Sequence, residues 1–255
     1  IADGMHTCVD EYNNLIGTIP GTDPDAKPIV VGSHIDTVPT GGKYDGVLGV
    51  LGGMEAAKRL KGTTKHPIQV VAFYDEEDSM SGSIGFSQSK SVYDIKAFLE
   101  LHVEQGPVLD KRGADIGVVE GIVGQRRCKF VITGQENHAG TTPMDMRDDA
   151  LVKASELVSY VYHRASIYDG LVATVGKLDV SPNLFSIIPG RVDLTVQIRD
   201  LDTSNIIRFA SDVASKFDLI YETDYESTPA LCDRKIMNMI SDSTGDLSYI
   251  EMPSR

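Results

Sequence analysis

No stretch of this sequence approaches the roughly 18 consecutive apolar residues that a membrane-spanning helix needs, so no membrane partner is expected. The first residues, Ile1-Ala2-Asp3-Gly4, also lack the basic and apolar regions of a signal peptide. They are typical of the middle of a protein. We therefore expect a soluble chain whose natural start lies upstream of Ile1.

Cysteine and positive charge are scarce as well. Cys8, Cys128 and Cys232 are odd in number, widely spaced and without a Cys-x-x-Cys pair, which predicts reduced thiols in a cytoplasmic protein. The formal net charge is −13. Because nucleic-acid binding relies on clustered lysine and arginine, no nucleic-acid partner is expected. The 255 residues, 41% of them hydrophobic, suffice for one large domain or two ordinary domains.

The stretch Gly32–Gly46, GSHIDTVPTGGKYDG, lies between a predicted strand and a predicted helix. The apolar run before it indicates a buried strand, and the spacing of apolar residues after it predicts a helix over 46–60. His34, Asp36 and Asp45 therefore fall at the carboxyl end of a strand. Open α/β sheets place their ligands at this edge.

Two later predicted strands end in the same way. Residues 68–74 run into Asp75-Glu76-Glu77, and residues 97–101 run into His102. A single histidine near an aspartate is more typical of a structural pair, but three strand ends with imidazoles and carboxylates favour a metal site. These ligands suit Zn²⁺ or Mn²⁺.

Two other segments of the first half carry weaker patterns. Alternation over residues 13–21, which ends in a Pro-Gly turn, predicts an edge strand. Residues 78–85 are rich in glycine and serine, which predicts a loop, either with backbone N–H groups near the site or on the plain surface.

From about Gly124 the pattern changes to a second set of elements. The elements predicted there are a strand at 126–132, a helix at 145–165, strands near 171–180 and 191–200, a helix at 203–217 and a strand at 218–224. This β-α-β-β-α-β order is the ferredoxin-like pattern. We predict a catalytic metal-binding domain that begins with residues 1–123, an inserted domain over 124–230, and a return to the first domain over 231–255.

Six segments resemble, in family order, the two-metal amidohydrolases of the M20 metallopeptidase clan. The segments are GSHIDTVPTGGKYDGVLGV, the Glu76-Glu77 pair, LHVEQGPVL, GIVGQRR, NHAGTTPM and the IIPG…VQIRD stretch. The branch they resemble contains allantoate amidohydrolase, N-carbamoyl-L-amino acid hydrolase and β-ureidopropionase. This resemblance implies an α/β catalytic domain with a mixed, largely parallel sheet, and an inserted ferredoxin-like α+β domain that acts as a lid and dimerises.

The resemblance also implies two divalent metal ions, zinc or manganese, with protein ligands from the first domain. The implied ligands are His34, Asp45 as the bridge, Glu77 and His102. Four ligands with one shared between two ions leave one ion short of protein donors. The family carries a further ligand histidine, after a glycine-rich segment near the sequence that matches Met252-Pro253-Ser254, whereas this chain stops at Arg255.

Two other acidic residues resemble groups that support the metals. Asp36 resembles the acid that fixes the tautomer of the His34 imidazole. Glu76 resembles the general base. A carboxylate bound to a metal, as Glu77 would be, is a poor base, whereas its unbound neighbour Glu76 can take a proton from a water held by the metals.

In the second domain the resemblance implies a set of substrate contacts. His138 resembles the histidine that polarises the scissile carbonyl and stabilises the oxyanion. Gln125 and Arg199 resemble substrate-binding residues, and the Arg199 guanidinium offers a planar fork for a carboxylate. Ser186 stands where relatives often place a substrate-binding asparagine. The 25 positions from Glu77 to His102 are also fewer than this branch usually has.

The predicted function is a metal-dependent hydrolase of linear C–N amide bonds in small ureido substrates. Allantoate is the first substrate, and N-carbamoyl-L-amino acids or β-ureidopropionate are the alternatives. A different class of function stays open, namely an inactive relative or fragment that binds a ligand or associates with itself. A homodimer through the inserted domain is the predicted assembly.

Overall fold

A computed structural model describes residues 4–89 and 94–254 of the chain. The chain divides into two compact units, of which one ends at Pro107 and the other begins at Val108. The boundaries predicted after residues 123 and 230 stay predictions. Among the described helices, none is both long and apolar enough to cross a membrane.

The first unit contains a five-stranded mixed sheet with the order β1-β2-β4-β3-β5. The strands are β1 (His6–Val9), β2 (Leu15–Ile19), β3 (Ile29–His34), β4 (Ile68–Phe73) and β5 (Ala97–Leu99). Strands β3, β4 and β5 are parallel, whereas β1 and β2 are antiparallel to their neighbours. The three predicted strand ends therefore lie at one edge of the sheet.

The strand predicted at 13–21 exists as β2, but its placement at the edge was wrong. β1 pairs with its outer side, so β2 lies inside the sheet. Alternation of apolar and polar residues indicates that one face of a strand is buried, but it does not indicate whether the strand has one neighbouring strand or two. All four residues of β1 are exposed, so hydrophobicity does not mark that strand.

The two helices of the first unit contribute to two separate apolar clusters. Helix α1 (Val47–Leu60) contributes Val50 and Ala57 to a cluster with β2 and β4. Helix α2 (Ser81–Gln88) contributes Phe86 to a second cluster with β3 and β4. Val70 and Val71 belong to different clusters. Because neighbouring strand residues point to opposite faces, the two clusters lie on the two faces of the sheet.

Helix α2 contradicts the loop predicted over residues 78–85. Glycine and serine are poor helix formers, which is why composition predicted a loop. The glycines have a packing role, because a Cβ at Gly82 would lie 2.2 Å from Oδ1 of Asn14. A Cβ at Gly85 would lie 2.1 Å from Cδ1 of Tyr12. The helix needs glycine at both positions to approach Tyr12 and Asn14 this closely.

The second unit contains a four-stranded antiparallel sheet with the order β12-β7-β11-β9. In chain order its elements are β7 (Gly124–Thr133), α4 (Ala150–Ala165), β9 (Val172–Ser181), β11 (Arg191–Asp200), α5 (Thr203–Lys216) and β12 (Tyr221–Ser227). The predicted β-α-β-β-α-β order is present. Phe130, Leu157 and Phe209 are among the fully buried residues that join the sheet to both helices. Burial in this core raises the pKa of the Cys128 thiol to about 12.

Smaller elements complete the second unit. They are α3 (Val108–Arg112), β6 (Ile116–Ile122), β8 (Asn137–His138), the 3-10 helix Met144–Met146, β10 (Ile187–Ile188), β13 (Ala230–Leu231), α6 (Arg234–Ser243) and β14 (Tyr249–Ser254). Strand β6 pairs with β13 and β14, and β8 pairs with β10. The parallel pair of β6 and β14 joins residues that the sequence analysis assigned to the two separated parts of one domain.

Candidate metal centre

Three of the four predicted metal ligands lie together in the first unit. His34 ends β3, Asp45 precedes α1, and His102 follows β5. Each offers one ligand atom, and these atoms all lie within 4.8 Å of one another. Nε2 of His102 is 3.2 Å from Oδ1 of Asp45. The strand ends thus deliver two imidazoles and one carboxylate to a single point.

Main-chain carbonyls fix the tautomers of both histidines. Nδ1 of His34 lies 2.9 Å from the carbonyl oxygen of Asp36, and Nδ1 of His102 lies 2.9 Å from that of Val103. A carbonyl oxygen only accepts hydrogen bonds, so in the neutral rings each Nδ1 carries the proton. Each Nε2 therefore keeps a lone pair for a metal ion.

Asp36 contacts His34 through two different groups. Its main-chain oxygen is the nearer acceptor, and its carboxylate Oδ1 lies 3.6 Å from Nδ1 of the same ring. Oδ2 accepts a 3.0 Å hydrogen bond from the N–H of Glu77. Burial alone would raise the pKa of Asp36, but hydrogen bonds from the main-chain N–H groups of Glu77, Asp36 and Glu76 outweigh it and the pKa is lowered. Asp36 is held as a carboxylate between the His34 loop and the acidic pair.

Gly46 lets the His34 ring lie against the start of α1. Its φ is 64°, a conformation that favours glycine. A Cβ at this position would lie 2.5 Å from three atoms of the His34 ring. Glycine is therefore required here both by the backbone and by the space that the imidazole occupies.

The hydrogen-bond partners of the buried Asp45 carboxylate indicate whether a metal ion fits this group of residues. Its side chain is only 7% exposed. Oδ2 accepts a 2.8 Å hydrogen bond from Nε2 of Gln105, while Oδ1 has no hydrogen-bond partner among the described residues. A buried polar atom without a partner is costly, and a cation beside the two histidine Nε2 atoms would satisfy it. Two imidazole nitrogens with a carboxylate oxygen are a donor set that suits Zn²⁺ or Mn²⁺.

The acidic pair Glu76-Glu77 follows β4 after Asp75, whose φ of 54° turns the chain. Oε2 of Glu76 lies 3.8 Å from Nε2 of His34. Burial raises the pKa of Glu76, the charge of His34 opposes that rise, and the carboxylates of Glu77 and Glu100 add to it. Glu77 does not belong to the group formed by His34, Asp45 and His102. The Glu76 carboxylate therefore lies beside the His34 ring, whereas the described contact of Glu77 is the hydrogen bond from its main-chain N–H to Asp36.

Sequence reasoning missed three polar residues around this centre. They are Gln105, Ser33 and Glu100. The Ser33 hydroxyl donates to Oε1 of Glu100 over 2.5 Å, and Ser33 is buried. Neither serine nor glutamine has a chemical signature of its own in a sequence. The available signal was position, because Ser33 adjoins His34, and Gln105 and Glu100 flank His102.

The predicted substrate contacts all lie in the second unit. Arg199 of β11 is the register partner of Gln125 of β7. Gln197 connects them, since its Nε2 donates to Oε1 of Gln125 over 2.9 Å and its Oε1 accepts from Nη2 of Arg199 over 3.3 Å. Arg199 is half-buried, and in the described part of the chain the ion pairs do not include it. Its charge is therefore available to an anionic ligand. His138 lies on β8, outside that sheet.

The chain matches the model of peptidase family M20/M25/M40 over residues 30–254. It is similar to the N-carbamoyl-L-amino acid amidohydrolase of Geobacillus stearothermophilus, with 32% identity over 96% of this chain and 73% of that protein. It is also similar to the allantoate amidohydrolase of Bacillus subtilis (strain 168), with 35% identity over 83% of this chain and 62% of that protein.

A solved structure gives the same result for the fold. The crystal structure of an amidase of the hydantoinase/carbamoylase family from Burkholderia multivorans superposes with a TM-score of 0.84 and 30% identity. The superposition covers 99% of this chain and 74% of that one. Across these three proteins the chain spans 62% to 74% of the relative's length.

Proposed function

The chain belongs to peptidase family M20/M25/M40, and on that premise we propose that it hydrolyses linear C–N amide bonds in ureido compounds with the help of divalent metal. The predicted family is confirmed, and amidohydrolase is the class named for the similar curated proteins. One observation carries the proposal. His34, Asp45 and His102 form a group with free lone pairs next to Glu76, and one buried oxygen of the group has no hydrogen-bond partner among the described residues.

The proposed cofactor is a pair of divalent ions, zinc or manganese. His34, Asp45 and His102 would hold metal, and the role of Glu77 as a further ligand is carried over from the family resemblance. When bound, such ions lower the pKa of a coordinated water and polarise the substrate carbonyl. Each carboxylate oxygen has two acceptor positions. The hydrogen bond from Gln105 therefore leaves Asp45 able to bridge.

Glu76 is the proposed general base. It would take a proton from the attacking water and pass it to the nitrogen that leaves the carbamoyl carbon. Two features support this role. Its carboxylate lies 3.8 Å from Nε2 of His34 and yet does not belong to the ligand group. A base needs to be near the reacting water without being bound as a ligand.

Three residues of the second unit are proposed to act on the substrate. His138 would donate a hydrogen bond to the oxygen that gains negative charge, and a preorganised donor of this kind contributes about 3 kcal/mol. Arg199 and Gln125 would bind a substrate carboxylate. The unneutralised, half-buried guanidinium supports this, because Arg binds carboxylates through two parallel hydrogen bonds.

Allantoate is the first proposed substrate, with N-carbamoyl-L-amino acids second and β-ureidopropionate third. All three carry a carboxylate and a terminal ureido group, so all three suit Arg199 and the same hydrolysis. The names of the similar proteins support the first two.

The test combines metal analysis with an ammonia-release assay on these three substrates. The wild-type protein should hold divalent metal and release ammonia, and His34→Ala should lose both. His66→Ala is the matched control, since the described side-chain contact of His66 is with the carbonyl of Lys27 and His66 does not belong to the ligand group. Metal binding without ammonia release from any substrate would favour the inactive, ligand-binding alternative.

We also propose that two copies associate through residues 124–230. Among the described strands, β9 and β12 are the outer strands of the four-stranded sheet, which supports this proposal because the open edge of an outer strand can pair with another chain. Light scattering during size-exclusion chromatography would report the mass. A mass equal to one chain at micromolar concentration would contradict the proposed dimer.

A further inference from the structure

We infer that Arg147 is a positioning residue that fixes the hydrogen-bonding direction of His138. This inference rests on the proposed function, in which His138 donates to the substrate oxygen. It follows from the geometry of the turn between the two residues, which lies entirely in the second unit.

Arg147 closes this turn by donating to two main-chain oxygens. Its Nη2 donates to the carbonyl of Ala139 over 2.6 Å, and its Nε donates to the carbonyl of Thr142 over 3.2 Å. The side chain is half-buried, and no ion pair of the described residues includes it. Its guanidinium is therefore committed to the main chain of the turn.

The main chain of His138 is held at the same time by other contacts. Its carbonyl accepts from the N–H and the hydroxyl of Thr142, over 3.1 Å and 2.8 Å. On the side of β10, which pairs with β8, His138 is the register partner of Ile187, and the N–H of Ala139 donates to the carbonyl of Ser186 over 2.9 Å. The backbone that carries the imidazole is thus fixed from two directions.

The ring itself is oriented by Gly140. The N–H of Gly140 donates to Nδ1 of His138 over 3.0 Å. A main-chain N–H only donates, so Nδ1 accepts and the proton of the neutral ring lies on Nε2. This tautomer is the reverse of that in His34 and His102. It leaves the Nε2–H of this exposed residue as a donor, which is what the proposed role requires.

One rigid group connects Arg147 to this hydrogen bond. The carbonyl of Ala139 and the N–H of Gly140 belong to the same peptide unit, which is planar and resists twisting. Arg147 holds the oxygen end of that unit, and His138 Nδ1 accepts from the nitrogen end. A cationic donor on the oxygen also polarises the unit and strengthens its N–H as a donor. Arg147 therefore acts on the His138 tautomer through one peptide bond.

Glycine at position 140 makes the contact possible. A Cβ there would lie 3.1 Å from Cε1 and 3.4 Å from Nδ1 of His138. That spacing is tighter than an ordinary side-chain contact, so the ring would have to shift. Gly140→Ala consequently disturbs the same hydrogen bond from the other end and leaves Arg147 in place.

The test is ¹⁵N NMR of the histidine rings, with the His138 signals assigned by their loss in His138→Ala. Wild type should show the Nε2–H tautomer, and Arg147→Ala should show a mixture of both tautomers. Arg147→Lys should give an intermediate result, because an ammonium lacks the fork that reaches two acceptors. Arg191→Ala, which removes an exposed arginine paired with Asp193, should leave the signals of His138 unchanged.

Kinetics supply the second reading. Arg147→Ala should lower kcat about 10-fold or more, short of the roughly 10²- to 10³-fold loss expected when an oxyanion donor is removed, with metal content unchanged. In a His138→Ala background the same change should cost almost nothing further, because both residues act through one group. Equal losses in both backgrounds would overturn the inference.

If Arg147→Ala fails to fold, Arg147→Lys takes its place as the test of Arg147, and Gly140→Ala tests the same hydrogen bond from its other end, with Gly176→Ala as control because a Cβ at Gly176 meets nothing within 4 Å. A wild-type His138 tautomer in the folded variant would overturn the inference. If the wild-type protein hydrolyses no ureido substrate, the proposed function fails, while the NMR result still decides the role of Arg147.

Discussion

Gln105 donates its side-chain amide to Oδ2 of Asp45 over 2.8 Å, and the other oxygen of that carboxylate, Oδ1, lies 3.2 Å from Nε2 of His102. Gln105 and His102 belong to the same segment after β5. One short segment therefore provides both a proposed ligand, His102, and the group that orients the proposed ligand Asp45. Residues that orient metal ligands contribute to affinity without touching the metal.

Replacement of Gln105 by leucine should therefore weaken metal binding. The amide is lost while the side-chain volume is nearly kept, so the Asp45 carboxylate is free to rotate. We expect metal affinity to fall about 10- to 100-fold, measured by competition with a chelator. Gln88→Leu, at the exposed end of α2, is the control. Equal affinities in the two variants would show that Gln105 does not orient Asp45.

The acidic pair should separate metal binding from proton transfer. Glu76→Gln should keep the metal content near wild type and lower kcat by roughly 10² or more, because a general base is lost. Glu77→Gln should lose metal if Glu77 is a ligand, although its carboxylate lies outside the group of His34, Asp45 and His102. Metal analysis and kinetics on the same preparations distinguish the two roles. Equal metal loss in both variants would contradict the assignment.

The sequence predicted the part of the candidate centre that depends only on the parallel direction of the strands. His34 ends β3, and Glu76 and His102 follow β4 and β5; these three strands are parallel, so alignment of the strands alone brings the three residues to one edge. The tautomers were not predictable, because they depend on the carbonyls of Asp36 and Val103. A sequence records which side chains exist and carries no direct record of where a carbonyl points.

The errors in the fold have a similar physical cause. Strand β6 was not predicted, because its partner β14 lies more than 120 residues further along the chain and local periodicity does not report such pairing. Helix α2 was predicted as a loop, because Gly82 and Gly85 are unfavourable in an isolated helix and are needed only where Asn14 and Tyr12 approach. In α2 a tertiary contact outweighs the local preference.

Arg199 should determine the preference for substrates that carry a carboxylate. Arg199→Lys keeps the charge and loses the planar fork, so KM for carboxylate-bearing ureido substrates should rise much more than KM for the corresponding amides. Arg191→Lys is the matched control on the same strand, because Arg191 is exposed and already paired with Asp193. Similar changes in KM for both substrate types would show that Arg199 does not bind the carboxylate.

The last prediction concerns the stability of the second unit at low pH. Oδ2 of Asp212, on α5, accepts from Nη2 of Arg164 over 2.6 Å and from the hydroxyl of Tyr168 over 2.9 Å. The hydrogen bond from Arg164 lowers the pKa of Asp212, burial opposes this, and the bond from Tyr168 adds to it. The contact ties α5 to the end of α4, where Arg164 lies.

The sign of the effect follows from the lowered pKa. In the unfolded chain Asp212 should have the ordinary aspartate pKa of about 3.9, so between that value and the lower folded pKa the unfolded state binds more protons. The stabilisation is therefore complete above about pH 4 and is lost as the pH falls through the folded pKa.

Asp212→Asn should lower the urea midpoint at pH 7, and the difference from wild type should shrink as the pH falls below about 4. Asp246→Asn, at an exposed turn, should track wild type across this range. A gap between wild type and Asp212→Asn that stays constant down to pH 3 would mean that the amide loses packing or geometry at this position, and that the charge of Asp212 contributes nothing.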